Sequence, residues 1–411
     1  MPEYYDSLEN RDPQERERAL IAALPGQIGH AITNAPGWAR ILAGVDPVAV
    51  NSRAVLAKLP VTRKSDLMGL QRAERPLGGL NATPVAQLGK IFVSPGPIYD
   101  PEGRGRDWWR TARALFAAGL RPGDLAINAF AYHFTPAGSM LEAGAVALGC
   151  TVVPAGTGQT EMQVAAIADL RANAYVGTPS FLKLIVEKAD ELKADISSLK
   201  KASVAAEYLP PALRTAMGER GIRVLQCYAS ADLGLIAYES EALEGMILDE
   251  GLILEIVRPG TGDPVPEGEV GEVVITTFNP DYPLVRFGTG DLSAVLPGRS
   301  PCGRTNTRIR GWMGRADQTT KVKGMFVHPS QVAEIVKRHG EITKARLVVD
   351  NPGGTDRMTL HCEVAAGSDT LKAAIEASLR EITKLRGDVA FRKPGELSND
   401  GKVIEDAKRY E

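Results

Sequence analysis

Cysteine is scarce: Cys150, Cys227, Cys302 and Cys362 are the only four in 411 residues, and they are widely scattered. That scatter argues against a disulfide framework and fits a reducing compartment. An excess of one charge sign is also lacking, because 48 basic against 50 acidic side chains leave a net charge of −2. No electrostatic case therefore exists for nucleic acid or an anionic membrane as partner. No run of about 18 apolar residues suggests a membrane span. The opening stretch MPEYYDSLENRDPQERERAL lacks the apolar core of a signal peptide. Together these absences predict a cytoplasmic protein. There is no internal repeat and no low-complexity segment. What is present is an ordinary globular balance, 44% hydrophobic and 24% charged, in a chain long enough for two or three domains.

Up to about Leu80 the chain reads as helices joined by turns. ERERALIAALPGQIGHAI has helical apolar spacing with Pro25 as a break. LPVTRKSDL reads as a turn feeding a helix, with Ser65 or Asp66 as N-cap. From Lys90 to about Asp232 strands and helices alternate. DLAINAF, CTVVPA, AYVGTP and IRVLQCYA are short apolar runs separated by MLEAGAVALG, EMQVAAIADLR and SFLKLIVEKADELK. Such alternation predicts parallel strands with crossover helices. From Met246 to Leu296 the strand-like runs are closely spaced and rich in turn residues, which predicts a small barrel-like β part. After Asp317 comes a compact α+β pattern. The fold class is thus α/β, with a large N-terminal domain of mixed and parallel sheets over 1–316 and a small α+β domain over 317–411.

Several stretches carry chemistry. KIFVSPGPIYDPEG puts a Gly-containing turn between a strand-like IFV and a helix-like RDWWRTARALFAAGL, a junction that often cradles phosphate. VRFGTGDLS places Asp291 after a tight turn, where a carboxylate can accept both hydroxyls of a ribose; a plain turn between strands is the alternative. GWMGRADQTTKVKGMFVHPSQV sets Arg315, Asp317 and Lys323 among glycines, as either a charged linker or a site. LSNDGKVIEDAKRY offers Lys402 in an exposed Gly turn, where a lone lysine otherwise only solvates the surface.

The phosphate-type loop, AAEYL, CYASADLGLIAYES, RFGTGD, GRAD and DGK follow one another in the order of the adenylate-forming enzymes. Over nearly its whole length the chain resembles the phenylacetate–coenzyme A ligase family within them. The resemblance implies an ATP-dependent, AMP-forming ligase. A carboxylate attacks the α-phosphate of ATP, releasing pyrophosphate, and the coenzyme A thiol then displaces AMP from the acyl-adenylate. It implies a mobile C-terminal domain, a homodimer, and ATP, coenzyme A and a small carboxylic acid as the molecules bound. By likeness, Asp291 and Arg315 hold the ribose, Asp317 is the hinge, and Lys402 is the adenylation lysine. Ser94 and Gly96 belong to the phosphate loop. Ala206, Glu207 and Tyr228 line the adenine, with Tyr228 stacked on or packed beside it. Ala205, Tyr132, His133 and Phe134 border the acyl group, which makes an aromatic acid the first expectation. Asp232 stands where relatives have a magnesium-holding Glu, and Ala231 replaces a Thr.

Two departures matter. Relatives carry a zinc site of Cys and His; here the matching positions are Ser240, Met246, Ser300 and Cys302, and no zinc is expected. Relatives also have a phosphate loop rich in Ser, Thr and Gly with a Lys. Here Pro95, Pro97 and Pro101 donate no N–H, and Asp100 and Glu102 would repel phosphate, with Lys90, Arg104 and Arg106 as flanking cations. Two other functions therefore stand beside the ligase: a non-catalytic nucleotide- or acyl-binding relative, and an adenylate-forming enzyme with a different acceptor.

Overall fold

The structure, a computed structural model, describes residues 3–94, 96–316, 318, 320–322, 325–351 and 356–407. Asp317, Pro95 and Lys323 lie outside them. The chain divides into two compact units. One gathers Met1–Leu254, Ile275–Phe287 and Leu296–Trp312; the other gathers Glu255–Val274, Gly288–Val295 and Met313–Glu411.

The first unit is built on parallel strands. Thr151–Val153, Leu125–Asn128, Ala174–Gly177, Lys201–Val204 and Arg223–Ser230 lie side by side in that order, each parallel to its neighbour. Helices Ala137–Leu148, Thr160–Leu170, Pro179–Leu192 and Pro211–Glu219 cross between them. The sheet continues antiparallel through Gly234–Glu239 and Met246–Leu248 to Arg308–Ile309. Both faces are covered, so the strands read as short apolar runs rather than as alternating polar and apolar residues. The pleat sends neighbours to opposite cores. Ala126, Val176 and Leu225 pack on one side with Trp109 and Leu141, and Ile127, Tyr175 and Val224 pack on the other with Ile167 and Leu182.

Four local expectations are corrected. Helix Pro13–Asn34 runs through Pro25. The proline forfeits one helical hydrogen bond, and burial of Leu24, Ile28 and Ala31 along one face holds the helix together across it. Helix Lys64–Ala73 is capped at Arg63, whose N–H donates to the Asp66 carboxylate at 2.8 Å. RDWWRTARALFAAGL forms only the short helix Ala112–Ala117. Before it, the indole N–H groups of Trp108 and Trp109 donate to Asp281 at 2.7 Å and Glu102 at 2.9 Å, and Asp107 and Arg110 take left-handed backbone angles. Finally, the barrel-like part is an open sheet: Leu252–Val257, Gly271–Thr277 and Phe287–Ser293 follow one another without closing.

In the second unit, Asp388–Arg392, Arg357–Val364, Ile342–Asp350 and Ile404–Asp406 form a sheet in that order. Helices Pro329–Arg338 and Asp369–Thr383 accompany it. Val332, Ile335, Leu347, Leu360, Ile375 and Leu379 share its core.

Candidate active site

In an open parallel sheet, ligands bind beyond the carboxyl ends of the strands. In the first unit several of the residues singled out in the sequence lie there. Leu125–Asn128 runs into Phe130–Phe134, Lys201–Val204 into Ala205–Glu207, and Arg223–Ser230 contains Tyr228 and ends two residues before Asp232. Ala206 has φ +69°, a left-handed angle that a Cβ-bearing residue rarely adopts and that structures keep at functional turns. Glu207 accepts from the Ser180 N–H at 3.2 Å. Of the expected acyl-pocket residues, Ala205 is buried, Tyr132 is half-buried, and His133 and Phe134 are exposed. The Tyr132 hydroxyl accepts from Asn128 at 2.8 Å, and burial together with Glu142 pushes its phenol pKa up. Phe134 sits at φ +59° with its side chain outward, while its carbonyl accepts from Val93 N–H at 2.8 Å.

SPGPIYDPEG does not form a strand-to-helix turn. Lys90–Ser94 and Ile98–Glu102 pair as an antiparallel hairpin with Phe92 opposite Asp100 and Ser94 opposite Ile98. Alternation puts Phe92, Ser94, Ile98, Asp100 and Glu102 on its buried face. The two acids thus turn inward, and only Asp100 keeps a buried oxygen without a hydrogen-bond partner. Glu102 is committed to the fold: it accepts from Trp109 Nε1 at 2.9 Å, Ser139 Oγ at 3.1 Å and Lys90 Nζ at 3.1 Å. Asp100 instead meets Asp232. Burial and the Asp232 charge push its carboxyl up to about 7, against the lowering effects of Ser94 and Lys64. Lys64 Nζ pairs with Asp232 Oδ2 at 2.5 Å. The reading of LPVTRKSDL as a turn feeding a helix missed this lysine; its place at the start of the helix carried no chemical signal.

The second unit assembles the other candidates. Asp291 and Arg315 face each other across an antiparallel bridge, with Arg315 Nη1 donating to Asp291 Oδ1 at 2.8 Å. Backbone bonds Leu292 N to Gly314 O at 2.9 Å and Ala316 N to Gly290 O at 2.7 Å fix that register. Lys402 projects from an exposed turn clamped on several sides. Arg346 donates to the carbonyls of Ser398 and Lys402, each at 3.1 Å, and to the Asp400 carboxylate. Gln318 donates to Gly401 O at 2.8 Å and accepts from Ile404 N at 2.9 Å. Gly401 has φ +71°, and a Cβ there would come within 2.5 Å of Val270 Cγ1 and 3.1 Å of Leu292 Cδ1. The lysine turn therefore packs against the strand that carries Asp291. It borders a cleft of about 650 Å³ lined by Arg258, Val270, Lys337, Asn399 and Lys402. Sequence reasoning missed Arg346 and Gln318, which lie far from the turn in sequence or outside any motif.

Parallel strands with functional turns at their carboxyl ends, a carboxylate–arginine pair and a clamped lysine turn suit an enzyme that binds an adenine nucleotide. Residues 107–279 match the family model described as AMP-binding enzyme. The class is thus an adenylate-forming enzyme. The chain is 32% identical to the phenylacetate–coenzyme A ligase of Thermus thermophilus, covering 86% of this chain and 82% of that one. It is equally 32% identical to the ligases of that name from Aromatoleum evansii (85% and 82%) and Escherichia coli (89% and 86%). The chain belongs to the phenylacetate–coenzyme A ligase family. In fold it is similar to an open conformation of 2-hydroxyisobutyryl-CoA ligase, with TM-score 0.72 at 24% identity over 95% of this chain and 91% of that one.

Magnesium is the metal this class implies. Ser94 Oγ, Asp100 Oδ2 and Asp232 Oδ1 are buried without hydrogen-bond partners. Hard oxygen donors left in that condition fit a hard divalent cation. Zinc differs. The Ser300 hydroxyl lies 3.1 Å from Cys302 Sγ in a buried pocket. Burial alone would raise the Cys302 thiol pKa, but hydrogen bonds with Ser240 and Ser300 bring it below its ordinary value. Among the described residues no three His, Cys, Asp or Glu side chains converge as a metal set.

Proposed function

We propose that this protein is an ATP-dependent, AMP-forming ligase that joins an aromatic or similar carboxylic acid to coenzyme A. The observation that carries the reading is its 32% identity to phenylacetate–coenzyme A ligases over most of both chains. In the first step a carboxylate oxygen of the acid bonds to the α-phosphorus and the bond to pyrophosphate breaks. In the second, the thiol sulfur bonds to the acyl carbon, AMP leaves with the carboxylate oxygen, and the thiol proton is released.

The chain's own groups have distinct work. Asp291 accepts the ribose hydroxyls, and Arg315 orients Asp291 through the 2.8 Å bond. Tyr228 packs beside adenine, with Ala206 and Glu207 at the same strand-end turns. Ala205, Tyr132, His133 and Phe134 border the acyl group. Lys402 neutralises charge that gathers on the acid and the α-phosphate as they join, an effect strongest in the transition state. Ser94 and Gly96 close the phosphate end. Asp232, with its unpaired Oδ1, holds magnesium, which when bound supplies a positive charge to the phosphates. Asp317 is the hinge of a boundary between 1–316 and 317–411. The proposal includes a cytoplasmic homodimer; among the described residues no helix is long and apolar enough to cross a membrane.

The test is pyrophosphate release with a panel of aryl acids, followed by addition of coenzyme A. Release followed by thioester formation is expected. Release without thioester formation means another acceptor, and no release with any acid means a non-catalytic binder.

A further inference from the structure

We propose that Asp100 and Asp232, with the Ser94 hydroxyl, form a divalent-cation site that fills before nucleotide arrives. The inference rests on the reading of Asp232 as the metal-holding acid and adds the hairpin to it. Asp100 is 1% exposed, Asp232 4% and Ser94 5%. They come from two separate elements, the hairpin and the segment after Arg223–Ser230, so their meeting is a product of the fold. Each contributes one buried oxygen without a partner: Asp100 Oδ2, Asp232 Oδ1 and Ser94 Oγ.

Charge points the same way. Two carboxylates face one ammonium, that of Lys64, which bonds Asp232 Oδ2 at 2.5 Å and leaves Oδ1 open. The neighbouring Tyr282 is buried and its phenol is held neutral by burial and by the two acids. With both acids ionised, the cluster would carry one negative charge more than Lys64 balances, in a buried place. Isolated buried charge is not tolerated; it is paired, coordinated or protonated. Hard oxygen ligands of this kind suit magnesium or manganese and not zinc. A divalent ion also reverses the meaning of Asp100. Alone the acid repels a polyphosphate, but under a cation it presents a positive centre to it. The hairpin would thus recover, through a metal, the phosphate attraction that its prolines and acids forfeit. A single shared proton is the competing occupant, and it predicts no metal uptake.

The test uses the full chain without nucleotide and Mn2+ as the probe, followed by loss of the free-ion paramagnetic resonance signal. Uptake of one Mn2+ per chain, displaced by Mg2+, is expected. Asp100→Asn should weaken it by about 10–100-fold, and Ser94→Ala by less, with circular dichroism confirming that each variant is folded. If Asp100→Asn does not fold, the wild-type titration decides alone. No uptake until ATP is added, or equal uptake by wild type and a folded Asp100→Asn, overturns the proposal. Uptake without pyrophosphate release from any acid leaves this site standing while the ligase reading fails. Pyrophosphate release without nucleotide-free uptake does the reverse.

Discussion

At the scale of single residues, Lys402 is the sharpest case. Its side chain is exposed and its backbone is held by Asp400 and Arg346, so truncation removes a charge without disturbing a core. Lys402→Ala should slow adenylate formation by about 10²–10³-fold, the usual cost of losing one group aimed at developing charge. Thioester formation from a supplied acyl-adenylate should be spared. Single-turnover assays of the two half-reactions decide, and equal loss in both counts against the role. Gly401 tests how the lysine is positioned. An alanine there must adopt φ +71° and would push against Val270 at 2.5 Å. Gly401→Ala should cost about 1–3 kcal/mol of local strain and slow adenylation, with adenylate hydrolysis and nucleotide affinity nearly unchanged. Wild-type adenylation in that variant would mean the turn is not under this constraint. Lys402, Asp291 and Arg315 drew attention in the sequence because each sits in a short Gly-rich stretch, and their proposed roles come from the order of those stretches. Arg346, Gln318 and Lys64 did not, because their contribution is a tertiary contact that no local pattern announces.

The hairpin is the element where sequence reasoning and structure part most. The strand–helix alternation after Leu125 was legible, since apolar runs and helical spacing alternate with regular punctuation. SPGPIYDPEG was not, because three prolines and a glycine mask the second strand and nothing local says which acids face inward. Structure separates the two acids. Glu102→Gln should lower stability by about 1–3 kcal/mol, because a buried, charge-assisted set with Trp109, Ser139 and Lys90 is weakened. It should leave nucleotide affinity unchanged; a urea melt and calorimetry check both. Asp100→Asn should act on the nucleotide, with a sign set by the metal. In chelator it should tighten ATP by about tenfold, since like-charge repulsion of about 1.4 kcal/mol is removed. With Mg2+ present it should weaken ATP instead, and AMP should change little in either condition because it lacks the outer phosphates. Calorimetry on both nucleotides in both buffers reads this, and an unchanged ATP affinity throughout would mean that Asp100 never meets the phosphate.

At the scale of the whole molecule the question is how one chain runs two half-reactions. The two steps act at different atoms, the α-phosphorus in the first and the acyl carbon in the second, and demand different groups around the same acid. Adenylation needs a cation where the acid and α-phosphate join, and thioester formation needs a thiol with a clear approach to the carbonyl. On the proposed reading, the Lys402 turn serves the first step and gives way in the second. The segment that could permit this begins where Met313–Ala316 leaves its pairing with Gly290–Leu292. It carries Gly314 at φ +126°, an angle open to glycine and strained for other residues. Hinges are a few residues at element ends that absorb backbone change, and Asp317 comes directly after that pairing. Proline at this position fixes φ near −65° and removes an N–H. Asp317→Pro should therefore separate the half-reactions, slowing one by about tenfold or more while the other stays within about threefold of wild type. Pre-steady-state measurement of pyrophosphate release and of thioester formation from supplied adenylate reads the two rates independently. A fold check by circular dichroism excludes a trivial loss. Equal slowing of both steps would assign Asp317 to general stability, and no slowing of either would remove the hinge from this position.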